Sequence, residues 1–440
     1  MRIISILTLC FVGFAAGAAE RPDLTGTIYD ETEKPYEGAM VSIYTAKPRT
    51  GTGIVCPSCY LDCAKRSTTG EDGSFEVKAL DPSLLFRVLV IAEGYTPMFV
   101  DNVDPLTGPI RVKLVKQDPS RNEPGHVLRG KVLDPNGKPV AGAKIEPYAM
   151  HYGTTNQYGG LDGVDPLSAT NAKGEFAVTS EKPDLVLSVK VEARGLAAQN
   201  FTRLAAGDDV HELTMGYGAT VSGRIEKGGE PVPGVVIGIV QTDRSSESFL
   251  GEIEVATDDQ GRFTFANVPP NDEYAVYGQL ADASSVGAVP VKVVRTESDG
   301  SLLDAGVLSV EPGHSVSGQV VLSDGGALPR DVRMMISREL AWDWLEVPVD
   351  ESGHFEAHNL PSEEYTIGCR IPDYHLSPKN YSLDPLNKFS LMGRIDADIA
   401  DLTLLFEPGK FEWQQAPQEA STRYTELKSE PIQGADWPER

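Results

Sequence analysis

The chain of 440 residues carries 64 acidic against 39 basic side chains, a formal net charge of −25. That balance excludes nucleic acid as a partner, whose phosphates need a basic surface, and it argues against docking on anionic lipid. A hydrophobic fraction of 40% is enough to build cores, while 43 glycines and 31 prolines suit a protein of many short strands and turns.

Chain order begins with a targeting segment. Arg2 is its charged start, Ile3 to Ala16 its short apolar run, and Ala16-Gly17-Ala18 its small-residue cleavage site. Residues 1–18 are therefore read as a signal peptide, and the run is too short for a membrane span. No later stretch reads as a span either. The mature protein is expected to be secreted, periplasmic or on the cell surface, in a compartment that permits disulfides.

One strand pattern then occurs four times. Each copy opens on a strand centred on glycine: Leu24-Thr25-Gly26-Thr27-Ile28, Leu128-Arg129-Gly130-Lys131-Val132, Val221-Ser222-Gly223-Arg224-Ile225 and Val316-Ser317-Gly318-Gln319-Val320. Apolar residues two before and two after the glycine alternate with polar ones, so one face is buried. A Pro/Gly turn follows (Lys34-Pro35…Gly38, Lys138-Pro139…Gly142, Glu230-Pro231…Gly234) and leads to a second strand. After a variable insert comes a second recurring phrase: Thr69…Gly73-Ser74-Phe75, Thr170…Gly174-Glu175-Phe176, Thr257…Gly261-Arg262-Phe263 and a worn copy, Val349…Gly353-His354-Phe355. The phrase recurs roughly every 90 to 100 residues, about one small domain. It reads as a tight turn that starts a core strand, with the four phenylalanines pointing inward. An apolar strand closes each unit, and no segment keeps a helical period.

The joints differ. Gln117 to Gly125 is a polar, proline-bearing spacer, whereas Gly216-Tyr217-Gly218 and Glu311-Pro312-Gly313-His314 leave little freedom. The last three units are expected to be stiffly connected. Beyond Phe406 the strand pattern stops.

The units resemble carboxypeptidase regulatory-like domains, within the transthyretin-like and CnaB-like β-sandwiches. The carrying residues are Leu128 to Val132, the turn Asp134-Pro135-Asn136-Gly137-Lys138-Pro139, Gly142-Ala143, and Thr170…Gly174-Glu175-Phe176. The fold class this implies is all-β: a tandem array of four antiparallel β-sandwich (prealbumin/transthyretin-like) domains after a signal peptide. The boundaries are 19–117, 126–215, 219–310 and a divergent 314–406, with 407–440 a polar tail expected to be disordered. The resemblance implies an accessory or cell-surface module, because this sandwich accompanies many unrelated functions. It does not imply a carboxypeptidase, since no His is followed three residues later by Glu as that zinc motif requires.

Two features point to chemistry. Cys56, Cys59 and Cys63 crowd the first insert. Three readings stay open: a local disulfide, a zinc or other thiolate-bound metal site needing a fourth ligand, or a redox pair. The other inserts carry Tyr152 and Tyr158, Phe249, and Trp342 with Trp344. Exposed aromatics of this kind stack on sugar rings or grip a protein partner. Two apart, Trp342 and Trp344 would share one face of a strand. The acidic pairs Asp101-Asn102…Asp104 and Asp258-Asp259 lack calcium-loop spacing. With no Ser/His/Asp grouping in motif context, no catalytic residue and no cofactor is expected. The expected function is a non-catalytic structural or partner-binding component; the alternatives are glycan binding through the aromatic loops, and metal or redox chemistry at the cysteines.

Overall fold

The computed structural model describes residues 21–49, 62, 65–116, 123–152, 155–245, 248–329 and 332–409. The signal peptide, Cys56, Cys59, Cys63 and the tail beyond residue 409 lie outside the described residues. The fold is all-β; among the described residues one helical turn, Leu280–Ala283, interrupts the strands, with a 3-10 turn at Pro124–His126. The described residues fall into two compact units. One holds the chain up to Leu89 with Val100–Lys113; the other holds Val90–Phe99 and the chain from Leu114 onward.

Every repeat is built from two sheets. The first sheet centres on the opening strand: Leu24–Tyr29, Val127–Leu133, Ala219–Lys227 or His314–Leu322. On one side lies the phenylalanine strand (Ser74–Val77, Glu175–Thr179, Arg262–Val268, His354–Leu360), paired antiparallel. On the other lies the closing strand (Ile110–Lys113, Val210–Thr214, Leu302–Ser309, Ile399–Pro408), and this pairing is parallel. An all-antiparallel sandwich was the sequence expectation. The first sheet is mixed instead: the opening strand is antiparallel to the phenylalanine strand and parallel to the closing strand.

The second sheet pairs the second strand (Met40–Pro48, Lys144–Tyr152, Val236–Gln241, Arg333–Arg338) with Leu84–Ile91, Val186–Glu192, Glu273–Gly278 or Glu363–Gly368. Insert strands such as Glu252–Ala256 and Asp343–Pro348 add to its edge. The fourth repeat departs from the others. Its Tyr374–Leu376 strand pairs with the closing strand, and that closing strand runs through Pro408, past the expected end at Phe406.

The register explains why the two recurring phrases travel together. Gly26, Gly130, Gly223 and Gly318 lie directly opposite Phe75, Phe176, Phe263 and Phe355. All four rings are buried. A Cβ at Gly130 would stand 2.3 Å from the Phe176 ring, and one at Gly26 2.6 Å from that of Phe75. In the first three repeats the strand glycine is thus the floor on which the phenylalanine lies, while at Gly318 the backbone of Leu402 leaves no room for a side chain. In the turn, Gly174 has φ +77°, and its carbonyl accepts the Val132 N–H at 2.8 Å. A Cβ there would sit 2.6 Å from the Val132 carbonyl oxygen, so conformation and space both demand glycine.

The threonine of the phrase ties the Pro/Gly turn to this strand. Thr170 Oγ1 donates to the Val140 carbonyl at 2.6 Å and accepts the buried Ala143 N–H at 2.8 Å. Thr69 does the same with Tyr36 and Ala39, and Thr257 with Val232 and Val235. Val349 occupies the position in the fourth repeat, where the backbone bond from Val349 N–H to the Val332 carbonyl joins the same two segments.

Candidate functional site

A cluster of buried charge lies where the third and fourth repeats meet. Arg338 ends the second strand of the fourth repeat, and its side chain is wholly buried. Its Nε and Nη2 donate to the two Glu363 carboxylate oxygens at 2.8 Å each, a bidentate pair. The same guanidinium reaches into the third repeat, where Nη1 donates to the Gly278 carbonyl at 2.9 Å and Nη2 to the Val289 carbonyl at 3.1 Å. Asp343, opposite Arg338 in the strand register, approaches Nη1 at 3.4 Å.

The carboxylates also reach back. Glu363 accepts the Val291 N–H at 2.6 Å, and Asp343 accepts the Leu280 N–H at 3.0 Å. Leu280 is itself part of the apolar core of the fourth repeat. Burial raises the Asp343 carboxyl to about 6, even though Arg338 opposes the shift. A buried arginine with five donors needs several acceptors, and here carboxylates and third-repeat carbonyls supply them together.

Around this pair the joint is closed by further contacts. Ala288 and Glu311 exchange backbone hydrogen bonds at 2.9 and 2.8 Å. Asn359, at φ +57°, donates from Nδ2 to the Ser284 carbonyl at 2.8 Å. Gly313 passes so close beneath Asn359 that a Cβ would lie 2.4 Å from its carbonyl carbon. The joint between the second and third repeats is held more lightly. Asn136 Nδ2 donates to the Tyr217 hydroxyl at 2.6 Å, and Asn267 Nδ2 donates to the Tyr217 carbonyl at 2.7 Å.

The aromatic candidates take different places. Trp342 stands just before the Asp343–Pro348 strand and is half-buried; its ring packs on Phe249 at 5.0 Å and lies under the Arg244 guanidinium. With Val240, Ala275, Tyr277 and Ala341 these rings form a small apolar cluster. Trp342 and Trp344 therefore do not present a shared open strand face: Trp342 is taken up by the joint, while half-buried Trp344 pairs opposite Ser337 within the strand. Tyr158 is exposed on the short Thr155–Tyr158 strand, and Tyr152 ends the Lys144–Tyr152 strand.

Other charged groups have protein partners. Asp104 pairs with Arg49, Asp101 with Arg87 at 3.2 Å, and Asp258 caps its own turn by accepting the Gln260 and Arg262 N–H groups at 2.8 Å. Lys144 and Lys190 alternate with Glu146 and Glu192 on two adjacent strands, with Lys144 Nζ 2.8 Å from Glu192. Burial would raise the Glu192 carboxyl, but the two lysines outweigh it and hold it down at about 2. Among the described residues no group of three or more His, Cys, Asp or Glu is arranged to hold a metal. Cys369 is buried, and burial pushes its thiol up to about 12.

The fold so defined is a series of two-sheet β-sandwich repeats. No family model and no curated protein matches the chain. Among solved structures it is similar to the Bacillus anthracis TIE protein, at 12% identity over 89% of this chain and 75% of that one, with a TM-score of 0.18. It is similar also to a streptococcal ancillary pilin, at 12% identity over 64% and 98% of the two chains, TM-score 0.22. A third is BcpA, the major pilin subunit of Bacillus cereus, at 11% identity over 66% and 100%, TM-score 0.18. Whole-chain superposition at these scores is poor, and the fold assignment stands on the strand order and register of the chain itself. No helix among the described residues is long and apolar enough to cross a membrane.

Proposed function

We propose that this chain is an exported, non-catalytic structural protein of the cell surface or periplasm, with each of its four sandwich repeats a domain at the boundaries 19–117, 126–215, 219–310 and 314–406. The observation that carries the reading is the Arg338 joint. A wholly buried arginine bonded to carbonyls of the preceding repeat serves to hold two repeats in one arrangement. Chemistry on a small substrate would not need it. An array of sandwiches with a fastened joint between its third and fourth repeats suits a spacer that presents a partner-binding end, the partner being a cell-surface protein.

Glycan binding through the inserts is the second reading, and exposed Tyr158 is the residue that favours it. The metal or redox alternative at Cys56, Cys59 and Cys63 is tested by thiol titration and metal analysis of the full chain. The main proposal is tested by fractionating cells that express the full chain and reading its mature N-terminus by mass spectrometry. A processed chain that starts at residue 19 or 20 in an exported fraction is expected; an intact Met1 in the cytosol overturns the reading.

A further inference from the structure

The joint holds more negative charge than its cations balance. On the edge strand Glu252–Ala256 of the third repeat, Glu252 and Glu254 are both half-buried and point to the same face. Tyr277 lies across Gly238, where a Cβ would stand 2.5 Å from its ring, and this brings its hydroxyl to Glu252 at 2.7 Å. The same hydroxyl lies 3.3 Å from the Trp342 carbonyl of the fourth repeat. Gln279 Nε2 donates to Glu254.

The charged groups around these carboxylates come from every neighbouring element. The short helix contributes Asp282, whose carboxylate accepts the Val236 N–H at 2.8 Å. The strand Glu273–Gly278 contributes Tyr277 and exposed Glu273, and the strand that follows the carboxylates contributes exposed Arg262. From the fourth repeat come Arg338, Asp343 and Glu363. Glu339 is engaged with Thr366. Arg338 is already committed to Glu363 and Asp343, and Arg244 sits over Trp342 and donates to the Glu339 carbonyl. No side-chain cation among the described residues has an ion-pair contact with Glu252 or Glu254.

We propose that the contact between the third and fourth repeats is a proton-operated latch, fastened when Glu252 and Glu254 are protonated and loosened when they ionise beside Asp343. Protonated, Glu252 keeps its hydrogen bond with Tyr277, which remains a neutral phenol, and places no charge against Asp343. Ionised, Glu252 and Glu254 repel each other and Asp343 across the joint. Burial raises both glutamates to about 7; at Glu252 the Tyr277 hydrogen bond opposes the shift and Asp343 adds to it, while at Glu254 the carboxylates of Glu252, Asp343 and Asp282 add to it. Their folded values stand above the unfolded value of 4.5, so the stabilisation is full below that value and is lost as pH rises through about 7. A mildly acidic surrounding would make the joint rigid, and a mildly alkaline one would let it open.

The test is hydrogen exchange on the full chain between pH 5.5 and 8, corrected for the intrinsic pH dependence of exchange. The amides to follow are Leu280 and Val291, whose hydrogen bonds cross the joint. One released proton changes an opening equilibrium by up to about tenfold per pH unit. Opening is therefore expected to rise at least about tenfold from pH 6 to 8, while the strand Val186–Glu192 of the second repeat stays unchanged. The Glu252→Gln, Glu254→Gln double variant keeps the size and hydrogen bonding of the protonated form, and its joint should stay closed at pH 8. Protection that does not depend on pH, or a double variant that opens as the parent does, overturns the proposal.

Discussion

At the scale of single residues, the repeat is held by small groups that each have one task. Thr170 satisfies a buried amide with its hydroxyl and ties the Pro/Gly turn to the following strand. Replacing it with valine keeps the shape and removes both bonds, leaving the Ala143 N–H without an acceptor. An unsatisfied buried donor costs about 1–3 kcal/mol, so Thr170→Val should lower the urea-unfolding free energy of the second repeat by that amount. The fourth repeat already carries valine at this position, and its own backbone bond from Val349 holds the two segments there. In the sequence this threonine looked like part of a turn motif. Its partners lie 27 and 30 residues upstream, a separation that no local pattern reveals.

At the scale of elements, strand order and register were partly legible. Period-two alternation marked the opening strands, and the recurring phenylalanines are buried as their spacing implied. Pairing of Gly130 with Phe176 could be suspected only because both recur together; the register makes it a contact. Gly130→Ala would push a methyl group into the Phe176 ring, and overpacking of this kind costs about 1–3 kcal/mol. The expected result is a lower midpoint in thermal unfolding, with partial recovery when Phe176→Leu is added. The parallel closing strand was not legible, since parallel and antiparallel partners share the same alternation. The placement of Trp342 was not legible for a related reason. Trp342 looks available in the sequence, but the contact with Phe249 lies between distant segments and follows only from how the two repeats meet.

At the scale of the whole molecule, the sequence pointed to short joints at Gly216-Tyr217-Gly218 and Glu311-Pro312-Gly313-His314. The chemistry that fastens the second of them came from elsewhere. Arg338, Asp343 and Glu363 are ordinary charged residues in their own strands, and only the approach of Gly278, Leu280, Val289 and Val291 makes them a clamp. The claim that this clamp makes the third and fourth repeats one cooperative element is tested most directly by native-state hydrogen exchange in rising urea, on the full chain at pH 6. The account predicts that the amides of Val236–Gln241 and Arg333–Arg338 lose protection together. In Arg338→Met, which strands the Glu363 carboxylate at a cost of about 3–5 kcal/mol, they should part company. Independent loss of protection by these two strands in the unaltered protein would contradict the account.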